Sequence, residues 1–178
     1  LPQHQKSNLS LTVYELVCLG RSPHKKWWEL DFDENDHAKV ERSIALTDMT
    51  ALKDKYVDTL SGGQRQRAFL SLALAQDAKT LLLDEPTTFL DLRYQLQFLD
   101  LLKKINQEQK ISIVTVIHDL NLAARYCDRI AVLKDGELLA IDSPREVLNN
   151  ELMKKAFRVE TCQIETPIGL QICTIKSE

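Results

Sequence analysis

Two segments constrain this chain most. The first is a helix start that contains two adjacent glycines, and the second, further along, is a strand that ends in two acidic residues. Residues 60–64 read LSGGQ, and residues 81–86 read LLLDEP. A glycine pair at the start of a helix leaves backbone N–H groups accessible to an anion. An apolar strand that ends in two adjacent carboxylates can hold a metal ion and a water molecule beside a triphosphate. Together, the two segments predict the two halves of a phosphate-binding site.

Length and composition favour one globular domain. The chain has 178 residues, of which 44% are hydrophobic and 28% are charged, and these values are typical of a single domain with a substantial core. The net charge of −3 argues against nucleic acid as a partner, because nucleic-acid-binding domains concentrate positive charge. No apolar stretch reaches the ~18 residues that a membrane-spanning helix needs. We therefore expect any membrane role to depend on a partner subunit.

The cysteines are widely separated in the sequence and form no C-x-x-C pair. They are Cys18, Cys127, Cys162 and Cys173. Zinc ligands usually come in close pairs, and cytosolic proteins keep their thiols reduced. We therefore expect reduced, buried cysteines rather than a metal site.

Hydrophobic periodicity and capping signals predict a helical first part and a mixed second part. Helices are expected over residues 12–20, 34–46 and 61–76, with a loop over 21–33. A buried strand at 81–83, a helix at 92–106 and a buried β-branched strand at 111–117 then predict a parallel pair with a helical crossover. The elements expected after these are a helix at 120–126, a hairpin of strands 129–133 and 138–141 around Asp135-Gly136, a helix start at Ser143-Pro144, and a hairpin of strands 159–164 and 168–175.

The acidic pair after the first predicted strand is the candidate catalytic and metal centre. Ligands of open parallel sheets bind beyond the carboxyl ends of the strands. We expect Asp84 to hold Mg²⁺, directly or through water. Glu85 can take a proton from an attacking water or polarise it, a contribution of about 10²–10⁴ in rate. Alone, the pair is equally compatible with an exposed strand-to-loop junction, and the LSGGQ segment upstream favours the catalytic interpretation.

The glycine-opened helix start is the candidate anion site. The partial positive charge and the unpaired N–H groups of the first helical turn suit a phosphate, and a Cβ would obstruct close approach of the backbone. The residues concerned are Ser61, Gly62, Gly63 and Gln64. A plain N-cap is the structural alternative. Arg65 and Arg67 either add positive potential or pair with nearby carboxylates.

Both segments resemble the nucleotide-binding domain of ATP-binding-cassette (ABC) proteins. LSGGQ resembles the family signature, and LLLDEP resembles the Walker B strand of that family. The resemblance covers about residues 1–148 and implies an α/β fold with a parallel-sheet P-loop NTPase core of ABC type and a helical subdomain. It also implies ATP and Mg²⁺ as cofactors. GRSPH at 20–24, QRQRA at 64–68 and TTFLD at 87–91 are similar to the ATPases of iron-siderophore, haem and vitamin B12 importers.

The resemblance implies specific roles for individual residues. The signature, residues 60–64, would contact ATP held by the other subunit of a head-to-tail homodimer. His118 matches the switch histidine, which reaches the γ-phosphate and orients Glu85, although a lone histidine there is more often structural. Asp91 matches the D-loop aspartate that links the two sites, and it can also cap the next helix. Gln3 matches the Q-loop glutamine, which senses Mg²⁺ and the attacking water and connects to the helical subdomain.

The chain contains no G-x-x-x-x-G-K-[ST] loop to cradle phosphates. We expect that loop to precede Leu1, so that the chain is N-terminally truncated and the fragment itself is inactive. Residues 1–178 would then be the C-terminal part of a single nucleotide-binding domain. Its divisions are a helical subdomain with the signature helix (8–76), a RecA-like core with Walker B and the switch histidine (77–148), and a C-terminal helix and hairpin (149–178).

The function implied by the resemblance is that of the ATP-hydrolysing subunit of an ABC importer for an iron-siderophore, haem or cobalamin-like substrate. Its expected partners are integral-membrane permeases and an extracellular or periplasmic substrate-binding protein, without nucleic acid. It would lie peripherally on the cytoplasmic face of the cell membrane. One alternative is a non-transport ABC ATPase, although the long coiled coils or basic arms of such proteins are missing. The other is a non-catalytic chain that offers only its signature half-site to a complete partner.

Overall fold

The computed structural model of the chain describes residues 11–24, 32–88 and 90–177. The chain divides into two units, Leu1–Thr115 and Val116–Glu178. No helix in the described ranges is long and apolar enough to cross a membrane.

Among the described residues of the first unit, three α-helices precede the strands. They are α1 (Val13–Cys18), α2 (Glu34–Leu46) and α3 (Gly62–Ala75). Each begins at a capping box, in which the side chains of the cap residue and the third helical residue accept hydrogen bonds from each other's backbone N–H. Their buried apolar residues form one shared core. The predicted helices are thus confirmed, although α1 ends earlier than expected.

A 3-10 helix, Leu19–His24, follows α1 where the sequence predicted mainly loop, and Pro23 lies inside it. The reason for this ordered segment is tertiary packing rather than local preference. An added Cβ on Gly20 would lie 2.4 Å from the carbonyl oxygen of Leu72 in α3. The absence of a side chain at Gly20 therefore permits a backbone approach that any other residue would prevent.

Arg21 fixes the same 3-10 helix to two further elements. Its buried side chain donates from Nε to Oδ1 of Asp36 at 3.0 Å, near the start of α2. It also donates from Nη1 to the carbonyl oxygen of Ala75 at 2.6 Å, at the end of α3. One guanidinium therefore ties the 3-10 helix to the start of α2 and to the end of α3, with its charge matched by a carboxylate.

The first unit also contains the predicted parallel pair, β1 (Thr80–Leu83) and β2 (Ser112–Thr115), separated by α4 (Leu92–Gln109). The expectation that both strands are buried is wrong for one face. Leu82 and Val114 are register partners and are 77% and 58% exposed, whereas Leu81 is only 4% exposed. Since successive side chains of a strand point to opposite faces, the described residues cover one face of this pair and leave the other uncovered.

The second unit contains three short helices and two hairpins. Its elements are α5 (Leu120–Tyr126), β3 (Ile130–Lys134), β4 (Glu137–Asp142), α6 (Pro144–Val147), α7 (Asn150–Phe157), β5 (Val159–Thr166) and β6 (Gly169–Ser177). The turn between β3 and β4 has positive φ at Asp135 (51°) and Gly136 (81°), as the predicted Asp-Gly turn requires. The core of the unit includes Val132, Met153 and Ile172.

The β5–β6 hairpin is antiparallel and shows where the cysteine prediction fails. Its register pairs Cys162 with Cys173. Both are exposed, Cys127 is half-buried, and Cys18 alone is buried. The expectation of buried thiols is therefore wrong for the two hairpin cysteines, because they fall on the solvent face of their strands.

Candidate functional site

The glycine-opened segment forms the start of a long helix. Ser61 is the N-cap of α3, and its Oγ accepts a hydrogen bond from the backbone N–H of Gln64 at 3.4 Å. The Gln64 side chain accepts in return from the backbone N–H of Ser61 at 3.1 Å. This helix start lies at an exposed surface, since Ser61, Gly62 and Gln64 are all exposed. The capping box uses the N–H groups of Ser61 and Gln64, so the N–H groups that could face a ligand are those of the two glycines.

The two glycines of this start have different surroundings. An added Cβ on Gly62 would meet nothing within 4 Å, so open space lies beside this backbone. An added Cβ on Gly63 would lie 3.3 Å from Cδ1 of Tyr94, in the first turn of α4. Gly62 therefore leaves room for a ligand or a partner surface, whereas Gly63 allows the starts of two helices to pack together.

The two arginines of α3 are already bonded to the protein. Arg67 donates to Oδ2 of Asp48 at 3.1 Å and to the carbonyl oxygen of Thr47 at 3.4 Å. Arg65 donates to the carbonyl oxygen of Asp58 at 3.3 Å. The pairing alternative is thus confirmed for Arg67, and the guanidinium of Arg65 is held against the backbone that precedes the helix.

The acidic pair lies directly after β1, at the carboxyl end of the strand. Asp84 and Glu85 are both exposed. Glu85 has a φ of 45°, in the left-handed region that non-glycine residues rarely adopt. Such conformations cost of order 1–3 kcal/mol and cluster at functional sites. Its Oε2 accepts a hydrogen bond from the Thr88 hydroxyl at 2.9 Å.

The loop after the acidic pair is folded by its own hydrogen bonds. The backbone N–H of Thr88 donates to the carbonyl oxygen of Glu85 at 3.3 Å, and that of Leu90 donates to the carbonyl oxygen of Thr87 at 3.1 Å. Thr87 is buried and accepts from the side chain of Gln95 at 3.4 Å. The position of Glu85 is therefore maintained by the loop and not only by the end of β1.

Asp91 ends this loop as the N-cap of α4. Its Oδ1 accepts from the backbone N–H of Tyr94 at 3.1 Å. This geometry confirms the capping alternative considered for Asp91, and its linking role between two sites stays a prediction. Tyr94 thus connects the two candidate segments, because its N–H is bonded to Asp91 and its ring lies against Gly63.

The donor set at the acidic pair suits magnesium shared with a substrate. Mg²⁺ prefers hard oxygen ligands and is commonly bound by one or two carboxylates together with substrate phosphates and water. Asp84 and Glu85 supply such carboxylates. Within the described residues, no group of three or more histidine, cysteine, aspartate or glutamate side chains could enclose a metal ion. An aspartate carboxylate such as that of Asp84 is a hard oxygen ligand that fits an ion completed by phosphate oxygens and water.

Two further predicted site residues are His118 and Gln3. His118 belongs to the second unit, is exposed, and precedes Asp119, the N-cap of α5. Its predicted role towards Glu85 stays a prediction. Gln3 lies outside the described residues.

Sequence reasoning missed Thr88 and Tyr94 as parts of the site. Thr88 lies three positions after Glu85, a spacing at which a loop hydroxyl can reach back to a carboxylate. That spacing was visible in the sequence. Tyr94 gave no comparable signal, because its contact with Gly63 joins segments that are distant along the chain.

The chain is similar to known proteins in its sequence and in its fold. The family model described as ABC transporter matches residues 1–88. The petrobactin import ATP-binding protein FpuD of Bacillus anthracis is 43% identical over 97% of this chain and 63% of its own length. The ferric enterobactin transport ATP-binding protein FepC of Escherichia coli K12 is 39% identical over 95% of this chain and 62% of its own length. The chain thus spans about three fifths of these curated relatives.

A solved structure supports the same grouping at the level of the fold. An ABC transporter in an inward-facing conformation contains a chain that superposes with a TM-score of 0.84 at 26% identity. The match covers 97% of this chain and 69% of that chain. The mixed helix and strand architecture described above is therefore that of an ABC ATPase cassette, as the sequence predicted.

Proposed function

Because this chain belongs to the ABC transporter family of ATP-binding cassettes, we propose that it is the ATP-hydrolysing part of an importer for iron chelates or related ligands. The transported substrate would be an iron-siderophore, haem or cobalamin-like molecule. The names of the two relatives above, which concern petrobactin import and ferric enterobactin transport, support this class. The observation that carries the catalytic proposal is the exposed, left-handed Glu85 at the end of β1.

Glu85 acts in this proposal as the base for the attacking water. Its carboxylate takes or polarises the proton while the Thr88 hydroxyl holds its Oε2 in place. Asp84 holds the magnesium ion, which when bound neutralises developing charge on the phosphate oxygens. His118 reaches the γ-phosphate and orients Glu85, and Gln3 senses the metal and the water.

The signature acts on ATP bound by a second subunit. The exposed first turn of α3 and the open space beside Gly62 support this arrangement. Backbone N–H groups there stabilise phosphate charge without side-chain rearrangement. Two copies arranged head to tail would thus close on shared ATP, with Ser61 and Gln64 beside the phosphate and Asp91 linking the two sites.

The remaining assignments follow from this role. Integral-membrane permease subunits and a substrate-binding protein complete the importer, and the chain lies peripherally on the cytoplasmic face of the membrane. We assign residues 8–76 to the helical subdomain, 77–148 to the core and 149–178 to the C-terminal extension. Coupling is mechanical, so the imported molecule does not contact this chain.

The test is Glu85→Gln in the complete protein assembled with its permease. This variant is expected to bind ATP, to form a trapped dimer and to lose nearly all ATP turnover. Glu108→Gln, an exposed change in the last turn of α4, serves as the matched control and is expected to keep turnover. Wild-type turnover in the Glu85→Gln protein would refute the role of Glu85.

The substrate class needs a separate measurement. Uptake of labelled ferric siderophore, haem and cobalamin is compared in cells that express the wild-type or the Glu85→Gln importer. Loss of uptake for one of the three identifies the cargo. Undiminished uptake of all three, with ATP turnover abolished, would exclude this importer class while leaving the ATPase assignment intact.

A further inference from the structure

We propose that Cys162 and Cys173 form a modification site, a cross-strand dithiol that a small-molecule disulfide converts into an intramolecular disulfide. The two residues are direct register partners in the β5–β6 hairpin, and both thiols are free. The inference concerns the C-terminal hairpin alone and does not depend on the proposed ATPase activity.

The backbone geometry of the hairpin suits a disulfide at this position. Directly opposed residues of an antiparallel ladder have Cα atoms about 5.5 Å or about 4.5 Å apart, depending on the type of pair. Disulfides span Cα separations of roughly 4.4–6.8 Å. Opposed residues also direct their side chains to the same face of the ladder. The Cα separation therefore lies within the disulfide range. The Cβ atoms of directly opposed residues, about 4.5–5.5 Å apart, need to approach by only about 1 Å to reach the roughly 3.5–4.5 Å of a disulfide.

Both thiols are accessible to a reagent. The neighbours Thr161 and Ile172 are 3% and 5% exposed, so they face the core of the unit. Since side chains alternate along a strand, Cys162 and Cys173 face solvent, and both are exposed. Accessibility distinguishes this pair from Cys18, which is buried.

Two asparagine side chains hold the hairpin in this register through hydrogen bonds to the residues next to the cysteines. The side chain of Asn121 accepts from the backbone N–H of Ile172 at 2.6 Å and donates to its carbonyl oxygen at 3.3 Å. The side chain of Asn150 accepts from the backbone N–H of Thr161 at 2.8 Å. A slip of one residue would break these bonds and turn the buried Ile172 to solvent. The two thiols are thus kept opposite each other.

The chemistry is two successive thiol–disulfide exchanges. The thiolate of one cysteine attacks the small disulfide, which gives a mixed disulfide and releases one small thiolate. The thiolate of the second cysteine then attacks the protein sulfur of that mixed disulfide and releases the second small thiolate. The two cysteines are oxidised, the reagent is reduced to two thiols, and the cysteine protons pass to the released thiolates.

The experiment treats the purified, reduced chain with glutathione disulfide and follows the products by non-reducing peptide mapping and intact mass. The expected product is a monomer in which the peptides of Cys162 and Cys173 are linked, with the mass of two hydrogens lost. Cys162→Ser and Cys173→Ser are each expected to stop at a glutathione adduct on the remaining hairpin cysteine.

A shifted pair provides the matched control. The double variant Cys173→Ser with Gln171→Cys moves one thiol two positions along the same face, opposite Ile164. Diagonal neighbours are about 7–8 Å apart, and their Cβ atoms, although somewhat closer, lie beyond the roughly 3.5–4.5 Å of a disulfide, so intramolecular closure is expected to be at least about tenfold slower. The proposal is overturned if the wild-type chain accumulates only glutathione adducts or links between two chains. Equally fast closure in the shifted pair would also overturn it.

Discussion

Arg21 donates a hydrogen bond from Nε to Oδ1 of Asp36 at 3.0 Å, and each side chain is only 4% exposed. Substitution of one member of a buried ion pair lowers the stability of the fold, because the remaining charge stays desolvated after it has lost its ion-pair contact. The pair also differs from the surface bridge between Arg145 and Glu165, whose side chains are 62% and 59% exposed.

We therefore predict that Arg21→Met lowers the free energy of unfolding by about 3–5 kcal/mol. Arg145→Ala, which removes the exposed pair, is expected to cost no more than about 1 kcal/mol. Chemical denaturation followed by circular dichroism compares the two variants with wild type. Equal, small losses for both would show that the Asp36 carboxylate is solvated in the folded protein.

Gly20→Ala is predicted to destabilise the first unit by about 1–3 kcal/mol, because overpacking forces the backbone to move. The added methyl group would lie 2.4 Å from the Leu72 carbonyl oxygen and 3.0 Å from Cβ of Ala75. Gly62→Ala meets no atom within 4 Å and should keep or slightly raise stability, because alanine favours helix.

The same pair of variants also separates stability from function. In the complete protein, Gly62→Ala is expected to reduce ATP turnover despite normal folding, since the methyl group occupies the space proposed for the partner's phosphate. Turnover and denaturation midpoints are measured on the same preparations. Full activity in Gly62→Ala would argue against close backbone approach at this glycine.

Asp91 allows a test of its two roles. Asp91→Ala removes the cap of α4 and is expected to cost about 1 kcal/mol. Asp91→Asn retains a capping oxygen, so its free energy of unfolding should stay near that of wild type. If the carboxylate also links two ATP sites, both variants lose turnover in the assembled protein. An active Asp91→Asn protein would leave capping as the sole role.

The capping box of α1 predicts a dependence of stability on pH. The pKa of Glu15 lies below its ordinary value of 4.5, mainly because the backbone N–H of Thr12 donates to the carboxylate and secondly because the Thr12 hydroxyl does so. A lowered folded-state pKa means stabilisation that is present above the ordinary value and lost as pH falls through the folded-state value. Wild type should therefore exceed Glu15→Gln in unfolding midpoint at neutral pH.

This difference in unfolding midpoint is expected to shrink in acid, below the ordinary pKa of Glu15. Thermal unfolding of both proteins at neutral and acidic pH measures it. In a Thr12→Ala background the substitution at Glu15 should matter less, because one of its two donors is gone. A difference that is unchanged from neutral to acidic pH would show that the charge of Glu15 contributes nothing.

Helix caps and turn residues in the sequence correctly predicted the elements that are determined by interactions between neighbouring residues. The capping box at Thr12 and the N-cap at Ser61 mark helix starts that the structure contains. The Asp135-Gly136 turn likewise determines its hairpin, because the required backbone angles are available at low cost to these residues.

Features that depend on distant contacts were not predicted. The 3-10 helix after α1 depends on the contact of Gly20 with Leu72, far along the sequence. The exposure of Leu82 was missed because an apolar residue indicates a preference for burial, not the presence of a covering layer. The pairing of Cys162 with Cys173 had a usable signal, since a hairpin turn at residues 167–168 determines every opposed pair.

Tyr94 contacts both candidate segments directly, through its ring at Gly63 and through its backbone at Asp91. The aromatic ring rests on the glycine of one helix start, while the N–H of the same tyrosine is tethered to Asp91 at the other. A tilt of α4 would push the ring against the backbone that presents the signature. Any change in the acidic loop that moves Tyr94 would therefore alter the space beside Gly63, at the start of the helix that carries the signature.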